Sequence, residues 1–324
     1  MGLLKVGLVG TGYAAKLRAE TLVADGRSQL VMVAGHESQK TTDFCQTFRA
    51  EGTLSWQELV QQPELDLIII STINRDHGAI ARAALEAGKH VVVEYPLALE
   101  VAEAAALIEL AKQQGKLLHV EHIELLSGIH LALRHELPAV GTPFYVRYSS
   151  LNPQRPAPHK WTYTTDLFGF PLVGALSRIH RLTDLFGLVK AVSCQTRYWS
   201  NGGVPSPYTS CLCTAQLRFV SGLVAEVIYG KGEALWQTER SLAIHGDRGA
   251  LLVEGERGQL VTPEGERSLE MGSRRGLFAK DTQMVLDCLL HGTPLYVTPS
   301  ASLYALKVAD AARRSAETGE TIAL

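Results

Sequence analysis

Two short stretches of the sequence combine residue types that could bind a phosphorylated cofactor and an anionic substrate. The first has the GxGxxA pattern of a dinucleotide-binding turn and consists of Gly10, Thr11, Gly12, Tyr13, Ala14 and Ala15. In such a turn the glycines permit a tight bend and a close approach of backbone to pyrophosphate, which then lies at the N-terminus of the following helix. The pattern predicts a dinucleotide cofactor, the alternative being an ordinary strand-to-helix connection.

The second stretch is a predicted helix that carries Arg178 and Arg181. Because residues three positions apart lie on one helix face, the two guanidinium groups should point the same way. Guanidinium pairs with carboxylate in a two-pronged geometry that an ammonium group cannot reproduce. The spacing favours an anionic ligand over a neutral sugar, although each arginine could instead form a surface ion pair with Asp184 or Glu121.

The end of the second predicted strand, Gln29–Ala34, should meet the adenosine ribose of the cofactor. No carboxylate stands immediately at that strand end. A 2′-phosphate could be accommodated by His36, Ser38 or Lys40, which favours NADPH. The alternative is that Glu37 binds the ribose, in which case NADH would serve.

Alternating strands and helices position these residues in the first part of the chain. Apolar segments predict strands at Lys5–Val9, Gln29–Ala34, Leu65–Ser71, His90–Glu94 and Lys116–Val120, and Leu65–Ser71 has the continuous apolar character of a strand buried in a parallel sheet. Helical segments separate them, including one that begins at the capping box Ser55–Glu58. We therefore expect an α/β fold, with a Rossmann-type doubly wound parallel sheet over residues 1–122 and a ligand crevice at the carboxyl ends of its strands.

Residues 123–324 differ from the first part of the chain, because strand-like segments follow one another without alternating helices. This pattern predicts an α+β substrate-binding domain. Strand-like segments rich in Val, Tyr and Thr predict a large, mostly antiparallel sheet, and they are Phe144–Ser150, Val189–Trp199, Cys211–Val220, Leu223–Gly230, Ser241–His245, Ala250–Glu254 and Gln259–Thr262. Such a sheet could also supply a flat face for a homodimer. Two terminal helices, Phe278–His291 and Ala301–Thr318, are expected to pack back on the first domain.

Composition limits the classes of partner. The 324 residues are 46% hydrophobic, enough for a core in each of two domains, and the net charge of −2 gives no electrostatic reason to expect nucleic acid or a membrane as partner. The five cysteines form no paired framework and no spacing typical of a metal site. The apolar N-terminal strand is about half the length of a membrane span. We therefore expect a cytoplasmic protein with reduced thiols and no metal.

A family resemblance becomes visible in the segment Asp66–Ala98, DLIIISTINRDHGAIARAALEAGKHVVVEYPLA. It resembles the core of the glucose-fructose oxidoreductase / inositol dehydrogenase family, with its AL-x-AGKHV-x-x-E-K-P signature. The resemblance implies further cofactor contacts from Thr72, Asn74, His77, Glu94 and Tyr95. Tyr95 stands where the family has a lysine, and it offers a hydroxyl but no ammonium group. Alcohol oxidation by the usual mechanism of the family is therefore not expected.

The EYP variant, together with His119–Leu126 and Gly169–Gly187, resembles the biliverdin reductase branch of that family. Ala225–Gly232 and Gly272–Phe278 resemble its cyanobacterial members. The resemblance implies hydride transfer from NADPH, or from NADH, to the C10 methine bridge of biliverdin IXα, with a proton added at a pyrrole nitrogen to give bilirubin. It also implies substrate contacts from Glu121, His122, Arg178 and Arg181. Either of the first two could instead satisfy buried backbone groups.

The same resemblance suggests roles for individual side chains. Arg178 is expected to stabilise negative charge that develops on the tetrapyrrole nitrogens, with Arg181 supporting it or binding a propionate. Since arginine is a poor acid, water could deliver the proton. Tyr95 could contact the nicotinamide, lend its hydroxyl to the proton path, or simply pack. His77 is expected to shape the turn under the nicotinamide rather than to transfer a proton.

Other interpretations of these residues stay open. Lys231, Arg274 and Arg275 could neutralise propionates, although solvated loop charges fit them better. The helix register admits either His180 or Arg181 at the position of the family's catalytic base. With His180 there, the protein would be a sugar or polyol dehydrogenase. With the base absent, it could also be a nonenzymatic NADP-sensing regulator.

Overall fold

The computed structural model describes residues 2–200, 207–273 and 275–324. These residues cluster into two compact units. The first comprises the chain up to Ile123 together with Arg275–Leu303, and the second comprises the intervening chain from Glu124 and the end of the chain from Tyr304. Each unit therefore contains two separate stretches of sequence.

The first unit is built on a six-stranded parallel sheet in the order β3-β2-β1-β4-β5-β6. Its strands are β1 (Leu4–Val9), β2 (Ser28–Ala34), β3 (Glu51–Thr53), β4 (Leu67–Ile70), β5 (His90–Val93) and β6 (Leu118–Val120). The central strands are almost wholly apolar because helices cover both faces of the sheet. The strand order reverses between β1 and β4, where doubly wound sheets bind their ligands. The predicted Rossmann sheet is confirmed.

Helices of the first unit connect these strands. They are α1 (Tyr13–Ala24), α2 (Ser38–Phe48), α3 (Trp56–Val60), α4 (His77–Glu86) and α5 (Val101–Gln113), joined later in the chain by α10 (Leu277–His291). Helix α3 begins at the predicted N-cap, where the Ser55 hydroxyl accepts from the Glu58 backbone N–H at 3.1 Å, but the box is not reciprocal, because the Ser55 backbone N–H donates to the Thr53 hydroxyl instead of to Glu58. Helix α10 packs against α1, so it completes the Rossmann unit from a distant part of the sequence.

The second unit is built on a nine-stranded sheet in the order β14-β13-β12-β11-β7-β10-β9-β8-β15. Its strands are β7 (Pro143–Pro153), β8 (Val189–Trp199), β9 (Ser210–Phe219), β10 (Val224–Gly232), β11 (Glu239–Gly246), β12 (Gly249–Glu254), β13 (Arg257–Thr262), β14 (Gly265–Leu269) and β15 (Ile322–Ala323). Only β7 and β10 pair in parallel among these described strands. The prediction of a mostly antiparallel sheet is confirmed, although β14 and β15 were not predicted.

Shorter helices accompany this sheet. They are α6 (Gly128–Glu136), α7 (Thr165–Phe168), α8 (Pro171–Gly174) and α9 (Ser177–Phe186). Helix α11 (Pro299–Thr318) belongs to the second unit from Tyr304 onward, and its predicted packing on the first domain stays a prediction. No helix within the described ranges has the length and apolar character needed to cross a membrane.

A buried arginine joins the elements of the first unit. Arg18 lies on the inner face of α1 and is fully buried. Its Nε donates to Glu94 Oε1, just beyond β5, at 2.7 Å, and its Nη1 donates to Asp281 Oδ2 of α10 at 2.8 Å. A second bond from Nη1 reaches the Thr282 hydroxyl at 3.0 Å. One side chain therefore links α1, α10 and the carboxyl edge of the parallel sheet.

Replacing Arg18 by methionine should lower the free energy of unfolding by about 3–5 kcal/mol, because it leaves buried carboxylates without their cation. Chemical denaturation at pH 7 measures this change. Lys16→Met is the matched control, since the Lys16 side chain is 62% exposed on the same helix and should change stability by less than about 1 kcal/mol. Equal effects of the two substitutions would contradict the assigned role of Arg18.

Candidate active site

The glycine turn connects β1 to α1, and its first glycine is required by geometry. Gly10 has φ +121°, a conformation that side chains rarely adopt, and an added Cβ would lie 2.2 Å from the Ser71 carbonyl oxygen. Its N–H donates to the Ala34 carbonyl at 2.8 Å. The turn therefore holds the ends of β1, β2 and β4 close together.

The second glycine leaves room for a ligand. Gly12 is the N-cap of α1, it provides no side-chain acceptor, and an added Cβ would meet nothing within 4 Å. Around it Tyr13 is 77% exposed and Ala14 and Thr11 are partly exposed, while Ala15 is buried against the sheet. This open backbone at a helix N-terminus fits a pyrophosphate. The residues present therefore suit a dinucleotide.

The loop after β2 presents basic groups around one carboxylate. Lys40 Nζ donates to Glu37 Oε1 at 2.7 Å, and His36 Nε2 lies 3.2 Å from the same oxygen. The bond from Lys40 is the main reason why the pKa of Glu37 is lowered. Ser38 begins α2 beside these groups. His36, Ser38 and Lys40 are exposed as expected, but the two basic groups pair with Glu37, and the choice between a 2′-phosphate on these residues and a ribose on Glu37 stays a prediction.

His77 shapes the loop that follows β4. Its ring is fully buried, with Nδ1 2.8 Å from the Pro96 carbonyl oxygen and Nε2 3.3 Å from the Thr72 carbonyl oxygen. Burial lowers the pKa of His77. The ring joins the loops after β4 and β5, which is the turn-shaping role expected of it. Asn74 lies in the same loop, and its contact with cofactor stays a prediction.

His122 supports Tyr95 instead of facing a substrate. The two rings stack with centroids 5.3 Å apart and an interplanar angle of 7°. His122 is buried, its backbone N–H donates to the Tyr296 hydroxyl at 3.0 Å, and its Nε2 lies 2.8 Å from Ser302 Oγ. The prediction of His122 as a substrate contact is corrected accordingly, because protein groups surround its ring.

Glu94 and Glu121 also face protein groups. Glu94 forms the ion pair with Arg18, and Glu121 is only 1% exposed. One oxygen of Glu121 accepts from the Ile123 backbone N–H. The pKa of Glu121 is raised well above its usual range, mainly by burial and secondly by the neighbouring Glu94 carboxyl group. The prediction of Glu121 as a direct substrate contact is therefore corrected, whereas the cofactor contact of Glu94, whose side chain is 15% exposed, stays a prediction.

Arg178 lies on α9 in the second unit and is partly exposed. Its guanidinium donates to the hydroxyl groups of Ser177 and Ser150, at 3.2 and 3.3 Å. The same group lies 5.2 Å from the centre of the Tyr229 ring. Arg178 is thus held between α9 and the neighbouring strands β7 and β10.

Arg181 points to the same side of the sheet but is buried. Its Nη1 donates to the Tyr148 hydroxyl at 3.0 Å, and Tyr148 and Ser150 are alternate residues of β7 on one face. The two arginines therefore share one helix face, as their spacing predicted. Arg181 Nη2 also forms an ion pair with Glu124 Oε2 at 2.9 Å, not with Asp184 or Glu121. The Arg181 side chain is only 6% exposed, which favours the supporting role predicted for it, and its contact with substrate stays a prediction.

Lys231 is not the solvated loop charge expected from the sequence. Its Nζ lies 4.0 Å from the centre of the Phe168 ring and 4.7 Å from that of Tyr163, and it donates to the Thr162 carbonyl. Burial lowers the pKa of Lys231 to about 8. Lys231 therefore joins β10 to the segment before α7. Arg274 lies outside the described residues.

Sequence reasoning missed Arg18 and Asp281. One signal was available for Arg18, because it falls between Ala15 and Leu22 on the helical spacing that marks the buried face of α1. A charged residue at such a position needs a buried partner. Nothing local in the sequence identifies Asp281, which lies 263 residues away, as that partner.

His180 is buried on α9, and burial lowers its pKa from 6.5 to about 4, with a further contribution from His130. The unfolded chain therefore binds more protons than the folded chain between these pH values, so stability falls as pH falls through that window. We expect this residue to account for up to about 3 kcal/mol of the loss.

Denaturation of His180→Asn at pH 7 and pH 4.5 should therefore show a smaller pH effect than the wild type shows. His135→Asn, whose ring is 84% exposed, is the control and should retain the full pH dependence. An unchanged pH effect in His180→Asn would contradict the buried neutral imidazole.

The two glycines of the turn should respond differently to alanine. Gly10→Ala should lose more than about 2 kcal/mol of stability, because its methyl group would meet the Ser71 carbonyl. Gly12→Ala should retain the melting temperature but weaken nicotinamide dinucleotide binding at least about tenfold, since the methyl group would stand where backbone meets pyrophosphate. Thermal melting and fluorescence titration measure both effects. If Gly12→Ala bound the dinucleotide as tightly as the wild type, the assignment of the pyrophosphate to this turn would be wrong.

Comparison with family models gives two matches. Residues 4–122 match an oxidoreductase family with an NAD-binding Rossmann fold, and residues 139–324 match the C-terminal alpha/beta domain of the same family. Levoglucosan dehydrogenase in complex with NADH and L-sorbose has a TM-score of 0.84 over 99% of this chain and 98% of its own, at 19% identity. That likeness shows the common fold alone.

Two relatives are more similar in sequence. Biliverdin reductase from Synechocystis sp. PCC 6803, crystallised with biliverdin and NADP+, is 54% identical, with a TM-score of 0.95 over 97% of this chain and 99% of its own. Biliverdin reductase A of Mus musculus is 29% identical over 286 residues, which are 87% of this chain and 85% of the mouse protein. The chain therefore belongs to the glucose-fructose oxidoreductase / inositol dehydrogenase family and is an NAD(P)H-dependent oxidoreductase.

Proposed function

We propose that this chain reduces biliverdin IXα to bilirubin by hydride transfer from NADPH to the C10 methine bridge. The observation that carries the proposal is the 54% identity, over 97% of the chain, with a reductase crystallised with biliverdin and NADP+. Tyr95 supports it from this chain's own residues. Reduction of a conjugated methine removes no alcohol proton, so an ammonium group at that position is not needed.

The cofactor would be held by the glycine turn and the loop after β2. The open backbone at Gly12 suits the pyrophosphate, and His36, Ser38 and Lys40 suit a 2′-phosphate. When bound, the cofactor supplies the hydride. The buried His77 ring fixes the loop after β4, so that the carboxyl edge of the sheet is already shaped before the cofactor binds.

Arg178 would stabilise the charge that develops in the bilin. Hydride addition to the methine bridge moves electron density onto the pyrrole nitrogens, and a fixed cation lowers the energy of that state. The Ser150 hydroxyl and the Tyr229 ring orient the guanidinium. Two propionates on the substrate would add to the attraction, because guanidinium binds carboxylates in a two-pronged geometry.

Arg181 is proposed as a positioning residue for this group. Its ion pair with Glu124 and its bond to Tyr148 hold α9 against β7, and α9 carries Arg178 one turn earlier. Its role is therefore to fix the direction of Arg178. Tyr95, held by the His122 ring, is proposed to contact the nicotinamide or to lend its hydroxyl to the proton path.

The dehydrogenase alternative depended on His180 as a base. Burial lowers the pKa of His180 to about 4 and leaves almost none of its surface open to a substrate, so no observation favours that alternative. The five cysteines are free thiols, which supports the proposed cytoplasmic location. A homodimer through the nine-stranded sheet stays a prediction, which light scattering would test.

Arg178→Ala should lower kcat for biliverdin reduction about a hundredfold, since one preorganised charge is typically worth that much. The KM for NADPH should not change, because Arg178 lies in the unit that does not carry the glycine turn. The assay follows the loss of the long-wavelength biliverdin band and the growth of the bilirubin band.

Arg134→Ala is the matched control, because that side chain is 70% exposed, and it should retain the wild-type kcat. Full activity in Arg178→Ala would remove the assigned role while leaving the reductase proposal intact. A wild-type protein that binds NADPH but leaves biliverdin unchanged between pH 5 and 8 would overturn the reductase proposal itself.

A further inference from the structure

The proposed reaction consumes a proton for each hydride, and a guanidinium group cannot release one near neutral pH. We propose that Glu121 and Glu94 form a carboxyl pair that stores this proton and releases it through Glu94. The inference rests on the proposed function and names the proton source that the function requires. It involves residues of the Rossmann unit alone.

The topology of the sheet brings the two carboxyl groups together. Strands β5 and β6 pair in parallel with Val93 opposite Val120, so the next residues, Glu94 and Glu121, lie side by side at the carboxyl edge. The Glu121 backbone N–H donates to the Val93 carbonyl at 2.8 Å, which fixes this register. Two carboxyl groups that share one buried site cannot both be ionised at low cost, so the pair holds a proton, in agreement with the raised pKa of Glu121.

Burial decides which member keeps the proton. Glu121 is 1% exposed, and the Ile123 backbone N–H is the hydrogen-bond donor that the described structure shows for its carboxyl. The side chain of Glu94 is 15% exposed and accepts from Arg18 Nε at 2.7 Å. Because burial disfavours the charged form, the proton resides on Glu121, and Glu94 is the member that reaches the surface.

The surrounding charges prevent ionisation of both members. Arg18 is the buried cation of the cluster, and it is shared between Glu94 and Asp281. Burial alone would raise the pKa of Asp281, but Arg18 and then His119 outweigh it and hold that pKa below its usual range. Tyr296, which also donates to Asp281, adds no positive charge. If Glu121 were also ionised, three carboxylates would share the positive charge that two of them, Glu94 and Asp281, already compensate.

Proton release balances the reaction. The hydride adds to C10 of the bilin while the nicotinamide is oxidised, and the added electron density on the pyrrole nitrogen takes up a proton. That proton passes from the Glu121 carboxyl to Glu94 and leaves at the sheet edge, where the Ser71 hydroxyl donates to Glu94 at 3.4 Å. The pair is then doubly ionised beside Arg18. It takes up a proton from solvent before the next turnover.

Glu121→Gln tests the proposal, because the amide retains the shape of the side chain and cannot release a proton. At pH 8, where ordinary carboxyl groups are ionised, the wild type should show the infrared C=O stretch of a protonated carboxyl, and Glu121→Gln should lose it. The variant's kcat at pH 8 should fall at least about tenfold, with a larger solvent isotope effect and a smaller deficit at pH 6. Its affinity for NADPH should not change.

Two further variants separate proton storage from a structural role. Glu121→Asp restores a titrating carboxyl and should recover the infrared band and part of the rate at pH 8. Glu109→Gln, whose side chain is 59% exposed on α5, should match the wild type in both measurements. Absence of the band in the wild type would overturn the proposal, and so would an unchanged pH profile in Glu121→Gln. Should the wild type not reduce biliverdin, the reductase proposal fails, whereas the infrared band still tests the carboxyl pair.

Discussion

A fully buried guanidinium group is the constraint on which the Rossmann unit depends. Arg18 comes from the helix that begins at the glycine turn, and it reaches both Glu94 at the sheet edge and Asp281 on α10. A charge buried this deeply is tolerated only when opposite charges pair with it, so these three elements must assemble together. The same side chain thus holds the phosphate-binding helix in place and sets the charge beside the candidate site.

The parallel sheet and the glycine turn could be predicted because their signals are local. A doubly wound sheet requires continuous apolar strands such as Leu67–Ile70, and a positive φ beside a neighbouring backbone requires Gly10. The shared face of Arg178 and Arg181 followed from helical spacing in the same way. Their partners did not, because the spacing of a helix says nothing about which strand lies opposite it.

The errors arose where burial depends on distant parts of the chain. Lys231 was expected in solvent, yet aromatic rings from two separate segments enclose its ammonium group. Glu121 and His122 were expected to face a substrate, yet both are buried, and Tyr296 and Ser302 from a distant part of the sequence hydrogen-bond to His122. The short strands β14 and β15 were missed for a related reason, since polar or two-residue strands form only through pairing with their neighbours.

Tyr95, which replaces the lysine of the family signature, connects the buried Arg18 to the proposed carboxyl pair. A lysine at position 95 would put an ammonium group directly after Glu94, and that charge would favour ionisation of nearby carboxyl groups. With Tyr95 in its place, Arg18 is the buried cation beside Glu94 and Glu121, and it also has to compensate Asp281. A pair with so little positive charge retains a proton. Tyrosine in place of lysine at position 95 removes the group that would withdraw a proton from an alcohol. The same change favours a carboxyl pair that can donate a proton, which reduction of a methine bridge requires.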